Sequence, residues 1–110
     1  MDVSYIKDGD VMLVTISGSL EKEANAEFQE LVENWIKQKE KLFILDVSGC
    51  RYINSAALRS FVILGKTAKS QGGKLCFAGV KGMLQEVFDI NNLQAVFPVY
   101  SDVDEAKAAM

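Results

Sequence analysis

The sequence predicts an α/β fold: one domain over residues 1–110, with a mixed β-sheet of four to five strands flanked by about four helices. Two apolar, β-branched runs near the N-terminus are joined by an Asp-Gly turn. Beyond them, strand-like and helix-like periods alternate along the chain. A third apolar run, Leu42 to Val47, is continuous rather than alternating, as a strand covered on both faces must be. Strands separated by single helices run parallel, because a strand-helix-strand crossover returns the chain to the same end of the sheet.

Each element follows in order. Val3 to Ile6 and Val11 to Ile16 form a hairpin around Lys7-Asp8-Gly9-Asp10. Met12, Val14 and Ile16 face one side, Val11 and Leu13 the other, so both faces of the second strand need cover. Gly18 is expected to break that strand. Phe28, Leu31, Val32, Trp35 and Ile36 then share one helical face, predicting a helix from about Asn25 to Lys39, with Asn25 as its cap and Glu27, Glu30 and Glu33 toward solvent. Aromatic residues at that spacing among leucines belong to a core.

After the central strand, Ser48 to Ile53 reads as a loop and Asn54 as the cap of a second helix, whose Leu58, Phe61, Val62, Gly65 and Ala68 lie on one face. That helix stops at Gly72-Gly73, and Leu75 to Ala78 is the next strand. Met83, Leu84, Val87 and Phe88 mark a third helix ending near Asn91-Asn92. Ala95 to Val99 is expected as an edge strand that tolerates Pro98, and Ser101, with Asp104 three residues on, as the cap of a last helix carrying Ala106 and Ala109.

Composition narrows the function. Hydrophobic residues make up 49% and charged residues 25% of the chain, which is globular rather than disordered. A net charge of -3 with no lysine or arginine stripe argues against direct nucleic-acid binding. The N-terminus lacks a basic segment followed by an apolar one, and no run is long enough to span a bilayer, so no membrane insertion and a cytoplasmic protein are expected. There is no histidine, and Cys50 and Cys76 sit apart in apolar surroundings. Catalytic triads, zinc sites, redox motifs and bound cofactors are therefore not expected.

One segment stands out. Asp46-Val47-Ser48-Gly49-Cys50-Arg51-Tyr52-Ile53-Asn54-Ser55-Ala56-Ala57-Leu58 puts the hydroxyl of Ser55 in the first turn of a helix that follows a central strand. Unpaired amides and the helix dipole favour an added phosphate there by about 0.3–1 kcal/mol, so a modification at that place need not unfold the chain.

In these residues the chain resembles the anti-sigma factor antagonists, whose fold is the STAS domain. The resemblance extends to Gly18-Ser19-Leu20-Glu21, Gly72-Gly73-Lys74-Leu75, and Val87-Phe88-Asp89-Ile90-Asn91-Asn92-Leu93 leading to Val96-Phe97-Pro98-Val99, and so covers nearly the whole chain. It implies a non-enzymatic regulator that binds an anti-sigma factor serine kinase and thereby frees a sigma factor. Ser55 matches the serine that the kinase phosphorylates to end the association, and a serine phosphatase resets the cycle. The implied partner surface comprises Asn54, Ser55, Ala56, Ala57, Leu58, Arg59 and Glu21, with Glu23 at its edge. Three positions depart from the family pattern: Asn54 stands for its Asp, Ala56 for its second hydroxyl, and Ala57 for its Gly, adding a methyl where a partner backbone would approach.

The departures keep a second function in view, a STAS-type interaction subunit of a stress-signalling or transporter complex that is never phosphorylated. An enzyme using Asp46 or a cysteine lacks any convergent acid, base and anion-binding set. Gly65-Lys66-Thr67 echoes the end of a phosphate-binding loop, but Ser60 stands where the upstream glycine belongs, so the segment reads as helix surface.

Overall fold

The computed structural model describes residues 2–110. Five strands form one sheet: β1 (Asp2–Asp8), β2 (Val11–Leu20), β3 (Leu42–Ile53), β4 (Lys74–Ala78) and β5 (Val99–Tyr100), in spatial order β1-β2-β3-β4-β5. The β1-β2 hairpin is antiparallel and every later pairing is parallel. Four helices connect or follow them: α1 (Lys22–Lys37), α2 (Ser55–Ser70), α3 (Gly82–Ile90) and α4 (Val103–Ala109). The expected mixed sheet with four helices is thus present, with β3 in its middle.

The alternation of the strands sorts the side chains into two cores. Met12, Val14, Ile16, Phe43, Leu45, Val47, Leu75 and Phe77 point to the face covered by α1, α2 and α3. Ile44, Cys76 and Ala78, with the half-buried Val11 and Leu13, point to the other, where Ala106 of α4 seals a smaller cluster. A chain of rings spans the larger core. Trp35 and Phe28 lie 6.3 Å apart, Phe28 and Phe61 5.4 Å, Phe61 and Phe77 5.2 Å, and Phe77 meets Phe88 at 4.9 Å and Phe97 at 5.5 Å. Such pairs add about 0.5–1.5 kcal/mol each beyond the area they bury. They lock α1, α2 and α3 to β4 and so fix where α2 begins.

Several boundaries differ from expectation, each for a local reason. Gly18 does not end β2: at φ +77 it takes a backbone that other residues avoid, absorbing a register shift while the strand runs on to Leu20. Ser48 to Ile53 is strand rather than loop, because this extension of β2 pairs with it. Helix α1 starts at Lys22 with Glu21 as its cap; Asn25 lies within the first turn, buried, its side-chain oxygen without a hydrogen-bond partner. The Ala95 to Val99 strand shrinks to the two residues of β5, because a 3-10 turn takes Leu93–Ala95 and Phe97 turns inward against Gly65. Asp102, not Ser101, caps α4: its carboxylate accepts the Glu105 N–H at 2.8 Å, while the Ser101 hydroxyl donates to the Glu105 carboxylate at 2.7 Å.

Candidate functional site

The site is built where β2 and β3 outrun the rest of the sheet. Pairing between β3 and β4 ends at Asp46 with Ala78, whereas β2 and β3 stay paired through Leu20 and Ile53. Asn54 N–H donates to the Leu20 carbonyl at 3.3 Å, which brings Glu21 alongside Asn54. Both strands turn into helices there, so α1 and α2 begin side by side at the carboxyl ends of their strands, where open α/β sheets place their sites.

The start of α2 follows the expected design. Asn54 is extended (φ -89, ψ 177), and its side-chain oxygen accepts the Ala57 N–H at 2.9 Å. The Asn54 carbonyl accepts the Leu58 N–H at 3.0 Å. Ser55 is the first helical residue and is exposed. The first turn carries no acidic side chain, so nothing on α2 offsets the positive end of its dipole.

Of the residues expected on the partner surface, Ser55, Ala56 and Arg59 are exposed, and Asn54, Leu58 and Glu21 are half-buried. Ala57 is a correction. It is 0% exposed and its methyl belongs to the core, because its position in α2 faces the sheet; a partner never meets it. Glu21 enters a shallow polar groove with Ser19, Glu23, Glu27 and Arg51. Arg51 was not singled out from the sequence. No periodicity marks it: Gly18 pairs with Cys50 and Ser19 with Tyr52, so Arg51 falls at a register shift where strand alternation is interrupted, leaving both Arg51 and Tyr52 exposed between the buried Cys50 and Ile53. Lys22, next to Glu21, is held at φ +54, so the turn from β2 into α1 is strained.

The remaining candidates are structural. Asp46 accepts from the Ser48 N–H at 3.1 Å and from the Ser48 hydroxyl at 2.8 Å, which ties the carboxylate to the strand beneath the site. Cys50 and Cys76 are free and buried. Burial pushes both thiols up, Cys76 to about 11; a contact with the Tyr52 carbonyl partly offsets the rise at Cys50, and the nearby Lys74 partly offsets it at Cys76. Gly65-Lys66-Thr67 lies inside α2, as helix surface and packing. Among the described residues, no group of three or more Cys, Asp or Glu side chains is placed to hold a metal ion, and no helix is long and apolar enough to cross a membrane.

The model of the STAS domain family matches residues 2–106. BtrV of Bordetella bronchiseptica, provisionally named as an anti-sigma factor antagonist, is 31% identical over 91% of this chain and 87% of its own. The crystal structure of a Thermotoga maritima protein, also provisionally named as an anti-sigma factor antagonist, superposes with a TM-score of 0.89 at 21% identity, covering 97% of this chain and 92% of that one. An anti-sigma factor antagonist from Mycobacterium paratuberculosis superposes with a TM-score of 0.86 at 15% identity, covering 98% and 92%.

Proposed function

The chain belongs to the STAS domain family of anti-sigma factor antagonists, and on that premise we propose that it is a cytoplasmic partner switch operated at Ser55. Residues 1–110 act as one regulatory domain. Unmodified, it binds an anti-sigma factor serine kinase through the start of α2 and the adjoining Glu21, and so frees a sigma factor. The kinase then transfers the γ-phosphoryl group of ATP to the Ser55 oxygen; the hydroxyl proton is lost, ADP leaves, and the complex dissociates. A serine phosphatase restores the hydroxyl.

The observation that carries this reading is the exposed hydroxyl of Ser55 at the first residue of α2. A phosphate there brings about -1.5 to -2 charges into a surface that fitted a hydroxyl. Reversing occupancy from nearly full to nearly empty takes about 5.5 kcal/mol of differential affinity, of the order reached when a group carrying more than one charge must be desolvated in an interface. The capping bond from Ala57 to Asn54 does not involve Ser55, so the helix start survives the modification.

The test is phosphoryl transfer from ATP by anti-sigma factor kinases of the same genome, read by intact mass, alongside complex formation. Ser55→Ala should abolish transfer and keep binding; Ser55→Asp should weaken binding by about tenfold or more, equivalent to ~1.4 kcal/mol. Transfer that persists in Ser55→Ala would place the acceptor elsewhere. A second reading, a STAS-type interaction subunit of a stress-signalling or transporter complex without phosphorylation, draws support from Asn54 and from Ala56, exposed where the family pattern has a hydroxyl. Stable binding with no transfer to any residue would favour it.

A further inference from the structure

We propose that Arg59 is the intramolecular partner of the phosphate on Ser55, so that phosphorylation adds negative charge to the binding surface and at the same time withdraws a positive one from it. The inference rests on the reading of Ser55 as phosphoacceptor and assigns how that site is read out. Ser55 and Arg59 are four residues apart on α2, one above the other on the same face, and both are exposed. The order is the favourable one, with the anion nearer the helix start and the cation one turn later.

Nothing on its own helix competes for Arg59. The neighbours at three and four residues in either direction are Ser55, Ala56, Val62 and Ile63, and of these only Ser55 can acquire a charge. Among the described residues the ion pairs are Lys7 with Glu40 and Lys107 with Asp8; Arg59 makes none. In the unmodified protein its guanidinium is therefore available to a carboxylate on a docking partner. A phosphoserine one turn away presents several acceptor oxygens to the same planar fork, at an intramolecular distance and with no translational entropy to lose. A partner that held Arg59 through a carboxylate loses that contact as the phosphate arrives. The switch then consists of two changes from one modification, a repulsion gained and an attraction removed.

The experiment bypasses any kinase. Phosphoserine is incorporated at position 55 during synthesis, and the phosphate is titrated by phosphorus NMR in the otherwise unaltered chain and in Arg59→Gln, Arg59→Lys and Lys66→Gln variants. A paired arginine stabilises the dianion, so Arg59→Gln should raise the second phosphate pKa by about 0.3 units, the size expected of an exposed helical charge pair. Arg59→Lys should recover part of the difference. Lys66→Gln should leave it unmoved, because Lys66 lies three turns from Ser55, beyond the ~8–10 Å screening length. The effect of Arg59→Gln should shrink at ~1 M salt. A phosphate that titrates identically with and without Arg59, or that moves equally with Lys66→Gln, overturns the proposal. Failure of every kinase to modify Ser55 would instead overturn the partner-switch reading and leave this titration intact.

Discussion

Replacing Asn54 with alanine removes one hydrogen bond from the start of the helix that carries Ser55, and the structure sets the size of the effect. The lost acceptor serves the Ala57 N–H at 2.9 Å, and Ala57 is 0% exposed, so its environment gives water little access to the freed amide. Loss of such a cap costs about 1–2 kcal/mol. With an unfolding entropy of roughly 2.1 cal/mol/K per residue over 110 residues, each kcal/mol is worth about 4 °C, so Asn54→Ala should melt about 4–8 °C lower. Asn54→Asp keeps the acceptor and adds a charge where the first turn has no acid, for a gain of about 0.3–1 kcal/mol over the native chain. That gain comes from a carboxyl whose folded pKa is depressed. It is present at neutral pH and is lost as pH falls through the folded-state value. Thermal melts followed by circular dichroism at neutral and acidic pH measure all three proteins. If Asn54→Ala melts with the native chain, or Asn54→Asp melts below Asn54→Ala, the capping argument fails.

Gly65→Ala should destabilise the protein despite alanine's higher helix propensity of about 1 kcal/mol, because its methyl falls onto the Phe97 ring, with Cζ at 2.8 Å, and overpacking costs about 1–3 kcal/mol; pairing it with Phe97→Leu should recover stability in urea titrations. Cys50 and Cys76 should resist iodoacetamide at mildly alkaline pH and both react once the chain is unfolded, as counted by mass; rapid labelling of the native protein would contradict their burial. The raised Cys76 pKa also makes stability fall with alkalinity, since the contribution is intact below the ordinary thiol value of 9.0 and is lost as pH rises toward about 11. Lys7→Met should change stability by less than about 1 kcal/mol, because the Lys7–Glu40 pair at 3.0 Å has a half-exposed lysine; a larger loss in the same titrations would show that the pair is more than a surface contact.

The elements with strong periodicity were legible from residue types alone. Phe28, Val32 and Trp35 announce α1, Leu42 to Val47 the central strand, and Asn54 the cap of α2, since each reports burial or an unpaired amide directly. What escaped depended on partners distant in sequence. Ser48 to Ile53 is polar enough to pass for a loop and becomes strand only because Ser17 to Leu20 pairs with it. Lys22 and Glu23 are polar and Ala24 is too small to set a helical period by itself, so Asn25 stands as the apparent cap although α1 begins at Lys22. Phe97 reads as strand until Gly65 opens a place for it across the core. At the site, the exposure of Ser55 was expected from its place in the helix, whereas the burial of Ala57 depends on which side of α2 meets the sheet.

The unequal lengths of the strands have one more consequence. Among the described residues, β3 from Ser48 onward has β2 as its only ladder neighbour, so the end that presents Ser55 projects past the part of the sheet where β2, β3 and β4 lie side by side. Exposed residues at that end, Arg51 on the overhanging part of β3 and Ala56 and Arg59 at the start of α2, can be exchanged without disturbing what lies beneath. New binding preferences can therefore arise at this tip while the folded body underneath stays as it was.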